Sequence, residues 1–262
     1  MNRIDRRFDD LKKEGKKALI TFITAGDPDI DTTYDIVLAL EEAGADIIEL
    51  GIPYSDPLAD GPTIQASSQR ALAKGIKIKD IMDLVMRIRE KSDIPIVYLV
   101  YYNSVFKYGI EKFLEDSKKA GVDGLIIPDL PLEERKEVLD IADKYEIYLI
   151  PLVAPTSKER IKAITENGKG FVYCVTLTGV TGAREEIATD LEEYMRLVSS
   201  YTSMPKALGF GISGPEMARK LKSLSDGIVV GSAIVERIAK GYNRCEMLKE
   251  VKEFVSSLRE VL

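Results

Sequence analysis

The 262-residue sequence predicts an α/β fold: a closed (β/α)8 (TIM) barrel spanning residues 1–262 as a single domain, with an N-terminal capping helix and an extra short helix after the eighth strand. Three observations point there. Eight short apolar runs rich in Ile, Val, Leu, Tyr and Phe alternate with amphipathic segments, as parallel strands covered on both faces require. The βα spacing recurs at roughly 25 to 40 residues, with no Pro/Gly/Ser linker dividing the chain. Eight such units suit a closed barrel better than an open doubly wound sheet.

In order, the runs are "ALITFIT" (18–24), "DIIELG" (46–51), "IPIVYLV" (94–100), "GLIIPDL" (124–130), "IYLIPLV" (147–153), "GFVYCVT" (170–176), "KALGFG" (206–211) and "GIVVGSA" (227–233). Between them, segments such as "TTYDIVLALEEAG" (32–44), "EERKEVLDIADKY" (133–145) and "GPEMARKLKSL" (214–224) repeat their apolar positions at three and four, the mark of helices with one face on a sheet. "AGAD" (43–46) and "AGVDG" (120–124) place a glycine where the chain leaves a helix in the left-handed conformation. Residues 2–13 read as a helix covering the barrel floor, 232–241 as the extra short helix and 244–262 as a closing one.

Composition narrows the chemistry. A net charge of −6 and a pI near 5.1 argue against a nucleic-acid surface. The basic residues from Arg3 to Lys17 are interspersed with Asp and Glu and read as a solvated helix face. No run approaches the roughly 18 apolar residues of a membrane span, and the N-terminus lacks a signal-peptide core, so a soluble cytoplasmic protein is expected. Two cysteines, Cys174 and Cys245, make no disulfide framework and read as structural. There is no histidine, which removes Ser-His-Asp and Cys-His sites and imidazole-built zinc sites. Acid–base chemistry then falls to a carboxylate, lysine, tyrosine or thiol of altered pKa. Lysine is missing from the C-terminal ends of the runs, Lys206 lying at the start of the seventh, which disfavours a Schiff-base aldolase.

Two regions carry site signals. The seventh and eighth runs lead into "GFGISGPE" (209–216) and "VGSAI" (230–234), where small residues expose backbone N–H groups at helix starts that favour an anion. Gly211, Ile212, Ser213, Gly231 and Ser232 could meet on one phosphate at the position where barrels frequently bind one. The "TLTGVTGAREE" loop (176–186) adds Gly179 and Gly182. Simple tight turns are the alternative. In "ELGIPYSDPLADGPTIQ" (49–65) three carboxylates lie close together with no basic residue between them. Alternation sets Ile47, Glu49 and Gly51 on one face; if that face is inward, Glu49 stands near the mouth, where desolvation raises its pKa. Asp60 can face the same cavity from the following loop. The alternatives are a paired strand-end carboxylate for Glu49 and turn capping for Asp56 and Asp60. A Mg²⁺ site from oxygen ligands is conceivable here, but no metal is expected.

Through "LITFITAGDP" (19–28), "IIELGIPYSDPLADGPTIQ" (47–65), "GLIIPDLP" (124–131), "GVTGAR" (179–184), "GFGIS" (209–213) and "VGSAIV" (230–235), essentially the whole chain resembles the tryptophan synthase alpha subunit family. The resemblance implies a carbon–carbon lyase that cleaves indole-3-glycerol phosphate to indole and D-glyceraldehyde 3-phosphate, without metal or organic cofactor in this subunit. Glu49 would then be the acid–base, and Asp60 would hold the indole N–H. Gly182, Gly211, Gly231 and Ser232 would bind the phosphate, and Phe22, Tyr101, Tyr173 and Phe210 are candidates for the indole pocket, each equally readable as core packing. Thr181 would approach Asp60 on loop closure. The implied partner is a pyridoxal-phosphate beta subunit in an alpha2beta2 assembly, receiving indole by a tunnel and faced by the loops around Asp56 and "YYNSVFKYG" (101–109). A stand-alone indole lyase and a phosphate-sensing barrel remain alternatives.

Overall fold

The computed structural model describes residues 1–175, 184–209, 211–241 and 243–262, leaving aside the side chains of 184–189. The chain begins with α1 (Arg3–Glu14), started by the Asn2 side chain accepting from Ile4 N–H and ended by Gly15 at φ 69°. There follow β1 (Ala18–Thr24), α2 (Ile30–Glu42), β2 (Ile47–Gly51), α3 (Pro62–Ala73), α4 (Ile78–Arg89), β3 (Ile96–Leu99), α5 (Tyr102–Tyr108), α6 (Ile110–Ala120), β4 (Gly124–Ile126), α7 (Arg135–Lys144), β5 (Tyr148–Leu149), β6 (Leu152–Val153) and α8 (Ile161–Thr165). The second half adds β7 (Val172–Val175), α9 (Arg184–Tyr201), β8 (Lys206–Gly209), α10 (Pro215–Leu221), β9 (Gly227–Val230), α11 (Ser232–Lys240) and α12 (Arg244–Arg259).

Every strand pairing is parallel, in the order β5-β4-β3-β2-β1-β9-β8-β7-β6. The two ends of that order are the two halves of one predicted run, 147–153. Its first half pairs with β4 and its second with β7, and the bonds continue between them: Ile150 N–H donates to Leu125 O at 2.9 Å, and Tyr173 N–H to Pro151 O at 2.8 Å. The ring is therefore closed, a (β/α)8 barrel. The run divides at Pro151, which has no N–H to give to a ladder. Other runs are shorter than predicted for local reasons: the fourth stops at Ile126 before Pro128, and the eighth stops at Val230 because Ser232 already begins α11.

Strand alternation separates two apolar layers. Ala18, Ile20, Ile47 and Val97 point inward and pack with Ile4, Phe8 and Leu11 of α1, so the N-terminal helix fills the barrel floor as expected. Leu19, Ile23, Ile48 and Leu50 point outward against the helices. Gly44 and Gly121 leave α2 and α6 at φ 99° and 93°, in the left-handed region.

The floor also carries a repeat that the sequence reading did not anticipate. Asp46, Asp123 and Asp226 immediately precede β2, β4 and β9. Each gives its own N–H to the carbonyl of one residue on the neighbouring strand, and accepts that residue's N–H on its carboxylate: Leu19 (2.8 and 2.6 Å), Ile96 (2.9 and 2.9 Å) and Lys206 (2.8 and 2.9 Å). Arginines complete two of the three. Arg7 and Arg259 bind Asp46, while Arg3 and Arg89 bind Asp123. The basic N-terminal segment is thus only partly a solvated face, since Arg3 and Arg7 seal α1 onto buried carboxylates. Among the described residues, no helix is long and apolar enough to cross a membrane.

Candidate active site

At the opposite end of the strands a cavity of about 570 Å³ opens, within the size range of small-molecule sites. Glu49, on the inward face of β2, sits in register between Phe22 and Val97. It is 1% exposed, and among the described residues its Oε2 has no hydrogen-bond partner. Burial, with a smaller contribution from the charge of Asp60, pushes its pKa up to about 8. A carboxyl so placed holds its proton at neutral pH and can both release and recover it.

Asp60 faces the same cavity from the loop between β2 and α3. That loop is a tight turn, with Leu58 N–H on Asp56 O and Asp60 N–H on Pro57 O, both at 3.0 Å. Gly61 and Pro62 then start α3, the proline occupying a first-turn position that needs no N–H. Burial pushes Asp60 up to about 6, against the pull of a hydrogen bond from the Tyr101 hydroxyl. The same hydroxyl accepts Ala59 N–H at 3.0 Å, and its ring stacks on Tyr54 at 4.9 Å.

The walls are Phe22, Leu99, Ile64 and Tyr173. Room for the two rings comes from glycines. A Cβ on Gly51 would lie 2.7 Å from the Phe22 ring and one on Gly231 3.2 Å from Phe22 Cβ; one on Gly209 would lie 2.6 Å from the Tyr173 ring. Gly231 therefore has two duties, since it also begins α11. Ile234 and Val235 N–H both take Gly231 O, at 2.8 and 3.0 Å. The N–H groups of Ser232 and Ala233, which precede them, have no acceptor within the helix, and both residues line the cavity. Gly211 (φ 74°), Ile212 and Ser213 line it too. Here the backbone offers an anion several donors and the positive end of a helix dipole.

Glu49, Asp60, Phe22, Tyr173, Gly211, Gly231 and Ser232 thus converge as the sequence reading expected. Tyr101 stands behind Asp60 instead of in the wall, and Asp56 is exposed away from the cavity. Thr181, Gly182 and Phe210 lie outside the described residues. Ile64, Leu99 and the Tyr54–Tyr101 stack were not foreseen. Ile64 was within reach, because Gly61-Pro62 marks a helix start whose first turn must border Asp60. A larger groove of about 800 Å³ between α2 and α12 is lined by helix-surface side chains and bridged by the Lys252–Glu42 ion pair. Among the described residues no three His, Cys, Asp or Glu side chains group closely enough to hold a metal ion.

A family model described as tryptophan synthase alpha chain matches residues 8–262. The sequence is 98% identical to the tryptophan synthase alpha chain of Caldanaerobacter subterraneus subsp. tengcongensis, covering all of both chains. Among solved structures, the alpha chain from Legionella pneumophila superposes with a TM-score of 0.91 at 35% identity, covering 100% of this chain and 97% of that one. A chain of the tryptophan synthase a2b2 complex from Pyrococcus furiosus gives 0.85 at 42%, covering 92% and 97%.

Proposed function

The chain belongs to the tryptophan synthase alpha chain family, and from that premise we propose that Glu49 and Asp60 carry its reaction, the retro-aldol cleavage of indole-3-glycerol phosphate to indole and D-glyceraldehyde 3-phosphate. The observation behind this assignment is a buried carboxyl, its pKa raised by burial and one oxygen unpartnered among the described residues, sharing a cavity with a second carboxylate. Glu49 gives its proton to indole C3. The positive charge that appears on the indole nitrogen is balanced by ionised Asp60, which accepts the N–H. The Glu49 carboxylate then takes the proton of the side-chain hydroxyl next to the scissile bond. That oxygen becomes the aldehyde as the C–C bond breaks, and the bonding pair returns to the ring, leaving indole.

Phe22 and Tyr173, with Leu99 and Ile64, suit the flat indole. Gly211, Gly231 and Ser232 suit the phosphate, joined by Gly182 on family resemblance. On family resemblance alone we assign Phe210 to the pocket and Thr181 to the closing loop that would approach Asp60. These side chains suffice for the cleavage with no cofactor on this chain, whereas pyridoxal phosphate belongs to the beta subunit that receives the indole. For that partner, in an alpha2beta2 assembly, the candidate surface is the Asp56 loop and α5, which expose Leu58 (86%) and Phe106 (64%). We read the 262 residues as one domain acting in the cytoplasm.

Indole release by the purified chain, with and without a beta subunit, tests the assignment. Glu49→Gln should still bind substrate yet lose about a thousandfold in turnover. A variant that keeps its rate would remove Glu49 from the chemistry.

A further inference from the structure

Asp27 lies in the turn after β1, its side chain 2% exposed. Arg70 grips its carboxylate with two prongs, Nε to Oδ1 at 2.8 Å and Nη2 to Oδ2 at 2.7 Å, and the Ser67 hydroxyl adds a third bond. Ser67 and Arg70 are neighbours on one face of α3. The charge on Asp27 is thereby matched, and a two-pronged contact fixes direction as well as distance. It ties α3 to the end of the strand that carries Phe22, which itself lies in register with Glu49.

The other end of α3 begins just after Asp60. Gln65, in its first turn, donates Nε2 to the Asp60 carbonyl at 2.8 Å. A continuous path therefore runs from β1 through Asp27, Arg70 and α3 to Gln65 and the backbone of Asp60. None of Asp27, Gln65, Ser67 and Arg70 lines the cavity.

We infer that Gln65 and the Asp27–Arg70–Ser67 clamp are positioning residues that set where Asp60 stands relative to Glu49. The inference rests on the reading of Asp60 as the group that holds the indole nitrogen. The phosphate donors belong to other elements, the turn after β8 and the start of α11. Loosening the clamp should therefore misplace Asp60 while leaving the grip on the phosphate.

The test uses the complex with the beta subunit and three substitutions. Gln65→Met removes the donor at similar volume, Arg70→Lys keeps the charge but loses the two-pronged geometry, and Asp60→Asn serves as reference. Gln65→Met and Arg70→Lys should each lower kcat about tenfold, with KM for indole-3-glycerol phosphate within about twofold of the parent. In the Asp60→Asn background neither should lower the residual rate further, because nothing is left to position. Should Arg70→Lys fail to fold, Gln65→Met alone decides. Full kcat in Gln65→Met, or an equal loss in both backgrounds, overturns the inference. Parental turnover in Asp60→Asn would instead overturn the reading of Asp60 itself.

Discussion

Asp46 and Glu49 are three residues apart, one just before β2 and the other within it, and both are 1% exposed. Asp46 meets Arg7, Arg259 and the N–H of Leu19. Glu49 meets apolar walls, keeps one oxygen without a partner among the described residues and has another carboxylate, Asp60, as its charged neighbour. Equal burial thus produces different chemistry according to what surrounds the group. On the floor, a carboxylate supplied with cations and a backbone donor becomes a fixed joint between strands. At the mouth, a carboxylate without them holds a proton that it can give away. At Asp123 burial still raises the pKa, against the pull of Ile96 N–H, Arg89 and Arg3.

The contrast breaks most readily at the floor. Asp46→Ala leaves two guanidinium groups and the Leu19 N–H without their acceptor, and should cost about 3–5 kcal/mol of stability. Denaturant unfolding measures that loss. Indole release per folded molecule should stay at the parental level, because Asp46 is remote from the cavity lining. A fall in specific activity beyond the loss of folded protein would show that the two ends are not separable.

The reverse experiment sharpens the comparison at the mouth. Unfolded Glu49 ionises near 4.5 and folded Glu49 near 8. Between those values the folded chain holds a proton that the unfolded chain has released, so this group's contribution is intact below about pH 4.5 and erodes as pH rises. Glu49→Gln carries no such proton. It should match the parent near pH 4 and exceed it on the order of 4 kcal/mol by pH 8. Thermal or denaturant unfolding across that range checks the divergence; parallel curves would mean that Glu49 does not retain its proton in the folded state.

The same contrast explains what could be read before folding. Mouth chemistry is written locally: Glu49 at the end of an apolar run, Asp60 in the next turn, glycines where two strands meet helices. Floor chemistry is written across the chain. Arg259 reaches Asp46 over 213 residues, and no periodicity in either segment announces it. The packing of Phe22 against Gly51 and Gly231 joins β1, β2 and the start of α11 and was equally invisible, so Gly231 could be assigned to an anion but not to making space. The break at Pro151 was visible in principle, since proline cannot donate to a ladder, yet the apolar character of "IYLIPLV" masked it.

The smallest effect concerns the balance between the two mouth carboxylates. With Asp60 near 6 and Glu49 near 8, the state that has Glu49 protonated and Asp60 ionised prevails between those values. The pH profile of kcat/KM should therefore be bell-shaped, the acid limb reporting mainly Asp60 and the alkaline limb mainly Glu49, with the two coupled. Tyr101 donates to the ionised form of Asp60 and so holds its pKa down. Tyr101→Phe preserves a ring to stack on Tyr54 but removes that donor, making ionisation of Asp60 harder. The acid limb should move to higher pH by roughly half a unit, about what one hydrogen bond contributes. The alkaline limb should stay in place, because Asp60 is ionised there in both proteins and its charge still acts on Glu49. An acid limb that moved the other way, or an alkaline limb that moved instead, would mean that Tyr101 acts on Glu49 and not through Asp60.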